Sequence, residues 1–176
     1  MKSIVIYYSN KGSNGFLAKK VAEKLSCEIE KIRPRLDVQL FLMMGISFGI
    51  KPIKANLTEY DRVILCGPIW VGKFITPLKV FVKKYKNEIN NLIFATCCGS
   101  SYEKKNEKFG HGLVFNEVKD LLKEKCVHCE AFPITLILTE QEEEDPNSVM
   151  NTRLSEDNFK GEILDRFNRF IDKITK

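Results

Sequence analysis

Apolar residues in this chain fall in short unbroken runs, separated by longer stretches in which they recur every third or fourth position. Ser3-Ile4-Val5-Ile6-Tyr7-Tyr8 is such a run, followed by a polar, Gly-containing loop. Its lack of alternation predicts a strand buried on both faces, as in a parallel sheet. Leu17, Val21 and Leu25 then repeat at helical spacing among lysines. Glu28 to Arg33 predicts a shorter second strand, stopped by Pro34, and Arg62 to Cys66 a third.

Pro77, Leu78, Phe81, Val82 and Tyr85 mark a helix with proline in its first turn. Leu92 to Thr96 predicts a fourth strand, and Leu113, Val114, Val118, Leu121 and Leu122 the next helix. Phe132 to Leu138 predicts a fifth strand. A last helix, capped by Ser155 or Asp157, carries the stripe Ile163, Leu164, Phe167, Phe170 and Ile171. Residues 36–50 read as an apolar helix broken by Gly45 and Gly49. Met43, Met44, Ile46 and Phe48 are expected to pack on the sheet; a substrate wall or a homodimer contact is the alternative.

Strands alternating with helices imply right-handed crossovers and an open parallel sheet covered on both faces. Ligands bind such sheets beyond the carboxyl ends of the strands, at a switch point in strand order. The loops after the first, third and fourth strands all contain glycine and would meet at that edge.

Composition narrows the class. The 176 residues suit one domain spanning 1–176, with 44% apolar and 29% charged residues, ordinary values for a globular protein. A net charge of +5 coexists with an acidic run of Glu140, Glu142, Glu143, Glu144 and Asp145. The body is therefore basic, which suits anionic cofactors. Nucleic acid is not expected, because the lysines are scattered along helices and no nucleic-acid motif appears. The longest apolar stretch, Leu40 to Ile50, falls well short of the roughly 20 residues needed to span a bilayer, so stable membrane insertion is not expected. With no leader segment ahead of the first strand, a cytoplasmic location with reduced thiols is the expectation.

Three motifs carry the chemistry. Ser9-Asn10-Lys11-Gly12-Ser13-Asn14 follows the first strand and opens a helix. Free amides and the positive dipole end there suit a phosphate; Ser9, Ser13 and Asn14 add side-chain donors, and Gly12 allows close approach. An ordinary strand-to-helix turn is the alternative. Cys66-Gly67-Pro68-Ile69-Trp70-Val71-Gly72 ends the third strand with the only Trp in the chain, able to cover a flat ring or, alternatively, to pack in the core. Thr96-Cys97-Cys98-Gly99-Ser100-Ser101, followed by Tyr102, ends the fourth.

These three segments, in this order, resemble the flavodoxin-like family of FMN proteins. The family's first loop usually reads Ser/Thr-x-Thr-Gly-x-Thr, so Lys11 and Asn14 stand where hydroxyl residues are usual. The resemblance implies a doubly wound five-stranded sheet of order 2-1-3-4-5, with FMN as cofactor at the edge of strands one and three. It implies cofactor contacts from Ser9, Asn10, Lys11, Gly12, Ser13 and Asn14 to the phosphate. Pro68, Ile69, Trp70 and Gly72 would contact the ring, with Gly72 beside flavin N5. Thr96, Cys97, Gly99 and Ser100 would meet the pyrimidine edge, and Tyr102 would shield part of the ring.

Other candidates read as structural. Cys97 and Cys98 are expected to be small buried thiols. Cys126-Val127-His128-Cys129 has the spacing of half a zinc site. It precedes the predicted fifth strand, at the amino edge, too far from Cys97 and Cys98 to share a metal. Free structural thiols are expected there, with a redox pair as the alternative. His111 reads as a solvent-facing or capping residue. No carboxylate pair or Ser-His-Asp pattern arises, so neither a hydrolytic centre nor a metal centre is expected.

Two functions follow. One is an oxidoreductase passing electrons from NAD(P)H to a quinone or other small acceptor; the other is an electron carrier between redox proteins. Lys11 and Lys73 on the flavin loops would stabilise an anionic reduced ring, and about 1.4 kcal/mol raises a one-electron potential by roughly 60 mV. That favours the enzyme. The acidic run at the same edge suits docking of a basic protein partner.

Overall fold

A computed structural model describes residues 1–10, 12–38, 40–41 and 44–176. Strands β1 (Ser3–Tyr7), β2 (Glu28–Lys31), β3 (Arg62–Cys66), β6 (Leu92–Cys98) and β7 (Cys126–Pro133) form one parallel sheet in the order β2-β1-β3-β6-β7. Between β3 and β6 the two-residue strands β4 (Ile69–Trp70) and β5 (Lys73–Phe74) pair as a separate hairpin. The five-stranded order is the one the flavodoxin-like resemblance implies.

The central strands are buried on both faces, which is why their sequences do not alternate. Ile4, Ile6, Val63, Leu65 and Phe94 pack beneath helices α2 (Thr76–Tyr85) and α3 (His111–Leu122). Val5, Ile64, Ile93 and Ala95 pack against α1 (Ser13–Leu25) and the last helix, Glu162–Thr175. Two short helices, α4 (Glu140–Glu144) and α5 (Pro146–Asn151), precede that last helix, α6. Among the described residues no helix is long and apolar enough to cross a membrane.

Three expectations are corrected. The fifth strand occupies Cys126–Pro133, not 132–138, because it pairs with β6, and β6 ends at Cys98 opposite Pro133. Beyond that point Ile134–Ile137 turns as a 3₁₀ segment. The last helix opens after Gly161 (φ +62), not at Ser155 or Asp157. Ser155 instead starts a local turn, in which its N–H donates to Asn158 Oδ1 at 2.8 Å and Phe159 N–H donates to Ser155 O. That turn seats Phe159 against Phe16 and Phe167.

The third correction concerns residues 36–50. Met44, Ile46 and Phe48 are exposed rather than packed on the sheet. A bridge between Pro34 and Ile50 pinches this segment off as an excursion beyond β2. Met43 lies outside the described residues.

Candidate functional site

The loops after β1, β3 and β6 do meet at the carboxyl rim of the sheet. The first begins where Tyr8 N–H donates to Cys66 O at 3.0 Å, joining it to the end of β3. Ser9 Oγ accepts from Gly12 N–H at 3.3 Å. Gly12 has φ +108, a backbone that a side chain rarely tolerates, and an added Cβ there would meet only open space. Among the described residues no side chain caps α1, so its first-turn amides remain for another acceptor. Lys11 lies outside the described residues.

Ser13 and Asn14 are partly committed elsewhere. Ser13 Oγ accepts from Leu154 N–H at 3.1 Å. Asn14 is buried, and its Nδ2 donates to Cys97 O at 2.9 Å while Cys97 N–H donates to its Oδ1 at 2.8 Å. The Asn14 carboxamide thus ties the first loop to the third.

The second loop leaves β3 through Gly67, whose backbone lies so close to α2 that a Cβ would sit 2.6 Å from a Leu78 methyl. Pro68 sets the turn, and Ile69 and Trp70 then pair with Phe74 and Lys73. Val71 (φ +52) and Gly72 (φ +65) form the tip, both left-handed as a type I′ hairpin requires. Trp70 is half-buried, with its ring edge-on to buried Tyr8 at 6.3 Å. Tyr8 OH donates to Asp37 at 2.8 Å, and burial followed by that carboxylate raises its pKa. Gly72 is roofed by the loop after β6: a Cβ there would lie 2.5 Å from Lys108 O.

In the third loop Thr96 and Cys97 are buried at the end of β6. Burial pushes the Cys97 thiol well up, and the Cys98 thiol up to about 11, so both stay protonated. Ser100 Oγ accepts from His111 N–H at 3.2 Å and meets His111 Nδ1 at 2.9 Å. His111 is buried, not solvent-facing, and burial followed by the charge of Lys105 lowers its pKa. Tyr102 turns away to β7: its OH donates to Ala131 O at 2.8 Å, and the Arg166 guanidinium covers its ring at 3.9 Å. One face of the Tyr102 ring is thus occupied by an arginine.

Two contacts of this rim were not foreseen. Val149 on α5 lies over Gly99, where a Cβ would be 3.2 Å from its Cγ1, and Leu154 reaches Ser13. The acidic run signals that the segment after β7 lies at this edge, but nothing in its pattern marks Val149 or Leu154.

Residues 4–173 match the family model of the Flavodoxin domain. The chain belongs to that family. Solved flavodoxin-like structures share its fold. A flavoprotein from Bacteroides eggerthii DSM 20697 is 15% identical, with a TM-score of 0.66, covering 99% of this chain and 98% of that one. A flavoprotein from Lactobacillus acidophilus NCFM, solved in complex with FMN, is 16% identical, with a TM-score of 0.58, covering 74% and 92%. An NAD(P)H:quinone oxidoreductase from Methanothermobacter marburgensis is 12% identical, with a TM-score of 0.51, covering 100% and 98%. No curated protein matches the chain.

The donor set of this flavodoxin-family rim fits FMN. An uncapped helix start with an open glycine suits the phosphate, and a half-buried indole beside a glycine-tipped hairpin suits the ring. Two clefts lie elsewhere. One, of about 530 Å³, runs along β2 between Glu28, Lys31 and Lys51. The other, of about 120 Å³, lies between Glu130 and Arg166.

Proposed function

We infer that this one-domain protein binds FMN at the carboxyl rim and works as an oxidoreductase, passing electrons from NAD(P)H to a quinone or another small acceptor. The observation that carries this reading is the meeting of three loops at one edge: an uncapped helix start, a Trp-bearing hairpin and the end of β6. When bound, FMN supplies the two-electron chemistry. The residues supply binding and electrostatics.

Ser9, Asn10, Gly12, Ser13 and the first-turn amides of α1 hold the phosphate. Pro68 and Ile69 shape the loop on which Trp70 would meet the ring, and Gly72 tips that hairpin. Gly99 and Ser100 border the pyrimidine, with the Ser100 hydroxyl oriented by His111. Asn14 and Cys97 act as the tie between loops.

Charge supports the enzyme over the carrier. Lys73 stands exposed on the hairpin, and the segment with Lys104, Lys105 and Lys108 folds onto Gly72. Cations there favour an anionic reduced ring and an acceptor-type potential. The carrier reading draws on the acidic helix α4, a surface suited to a basic protein partner.

The test starts from the visible spectrum of the purified protein, followed by FMN titration. Turnover of NAD(P)H with a quinone in air is then measured on the FMN-loaded protein. A flavin spectrum with rapid turnover supports the enzyme. A flavin spectrum without NAD(P)H consumption supports the carrier, and colourless protein that takes up no FMN overturns both.

A further inference from the structure

At its amino end β7 brings residues three apart onto one face, which a regular strand cannot do, because side chains alternate. The register explains how. Leu92 pairs with Cys126, but Ile93 pairs with His128, so Val127 is an extra residue in a β-bulge. The bulge resets the alternation. Cys126 and Cys129 both pack toward the face covered by α2 and α3, whereas His128 stacks on Phe170 of α6. The two sulfurs stand 3.6 Å apart, and both thiols are free and half-buried.

We propose that Cys126 and Cys129 form a dithiol–disulfide redox site, separate from the flavin rim, whose oxidants are low-molecular-weight disulfides. The roles of the two sulfurs are unequal. The contact between the two thiols lowers the Cys126 pKa, and the charge of Lys119 acts in the same direction against the effect of burial. The same contact, together with burial, raises that of Cys129. Cys126 is thus the attacking thiolate.

In the first step the Cys126 sulfur attacks one sulfur of the small disulfide, its S–S bond breaks, and one small thiolate leaves. In the second, Cys129 gives its proton to solvent and attacks Cys126 Sγ; the protein disulfide forms and the second small thiolate leaves. The net change is two protein thiols oxidised by two electrons and one small disulfide reduced to two thiols. The sulfurs must close from 3.6 Å to about 2.05 Å. The bulge, where Val127 is already outside the regular ladder, provides the slack.

This site is remote from the rim. Cys126 lies opposite Leu92, and the rim begins at Cys98, the other end of β6. At about 3.3 Å per residue that is roughly 20 Å. It is also the end of the sheet opposite Cys97 and Cys98.

The experiment treats the wild-type protein with oxidised glutathione, then measures intact mass, free thiols and the disulfide map. The expected result is loss of two of the six free thiols, no retained glutathione, and a bond between Cys126 and Cys129. In Cys129→Ser a glutathione adduct should persist on Cys126; in Cys126→Ser the reaction should slow by about tenfold or more. Wild-type protein that keeps all its thiols, oxidises at Cys27, Cys97 or Cys98, or stops as a glutathione adduct overturns the proposal. The wild-type map decides the matter even if a variant fails to fold.

Discussion

Asn14 and Cys97, 83 residues apart in sequence, close a ring of two hydrogen bonds, Nδ2 to O at 2.9 Å and N to Oδ1 at 2.8 Å. Through that ring the first turn of α1 and the last turns of β6 hold a common position. Asn14→Leu keeps the volume but strands the buried Cys97 N–H and leaves Cys97 O only the 3.4 Å contact from Thr96 Oγ1. A stranded group costs about 1–3 kcal/mol and the weakened carbonyl adds to it, so the variant should lose roughly 2–4 kcal/mol. Urea unfolding measures the loss. FMN titration should show weaker binding too, since two of the three loops lose their registry.

Val71 sits at the hairpin tip with φ +52 and is 54% exposed. A β-branched residue in the left-handed region costs about 1–2 kcal/mol, and this one buries too little surface to offset it. Val71→Asn suits the turn, because Asn tolerates that backbone. The variant should be more stable by about 1 kcal/mol, read as a higher Tm. An unchanged or lower Tm would show that contacts of the Val71 side chain outweigh the strain.

Gly72 and Gly12 both have positive φ but differ in surroundings. A Cβ at Gly72 would meet Lys108 O at 2.5 Å and Phe109 Cα at 2.8 Å, both backbone atoms, while one at Gly12 would meet nothing within 4 Å. Gly12→Ala should therefore cost only the conformational penalty, about 1–3 kcal/mol, because φ +108 with ψ −50 lies outside the left-handed well. Gly72→Ala adds a clash that only movement of the 104–110 loop or the hairpin can relieve, so its cost should be about 2–4 kcal/mol. Thermal unfolding of the two variants side by side checks the difference.

What was legible in the chain was what depends on local pattern. Unbroken apolar runs marked β1, β3 and β6, and Pro77 marked the start of α2. The three rim loops stood out as glycine-bearing breaks after strands. Features set by distant partners were not legible. The amino half of β7 hides behind a bulge that disrupts its period, and its end is dictated by where β6 stops. The hairpin tip carries Val where turn chemistry asks for Asn or Gly, so β4 and β5 gave no signal. Nothing local reveals that Asn14 lies beside Cys97, or that Arg166 and Ala131 reach Tyr102, since both are brought there only by the fold. Residues 36–50 misled for a different reason: an apolar, Met-containing pattern ordinarily marks core, yet here Met44, Ile46 and Phe48 face out.

His111 provides a pH test of the third loop. Its imidazole is buried, edge-on to Tyr102 at 5.3 Å, with Nδ1 at 2.9 Å from Ser100 Oγ. The Ser100 oxygen accepts from His111 N–H, and its hydroxyl lies within reach of both Nδ1 and Cys98 Sγ. Burial, then Lys105, lowers the folded pKa below that of the unfolded chain, about 6.5. For a base with a depressed folded pKa, the unfolded state takes up the proton first as pH falls. The stability held by the neutral ring is therefore complete above about 6.5 and is lost progressively below it. Asn in this position offers a group near Nδ1 but does not titrate. His111→Asn should thus show a flatter decline of Tm between pH 7 and 5 than the wild type, even if its Tm at pH 7 is lower. Parallel declines in the two proteins would mean that His111 is not the group whose protonation weakens the fold.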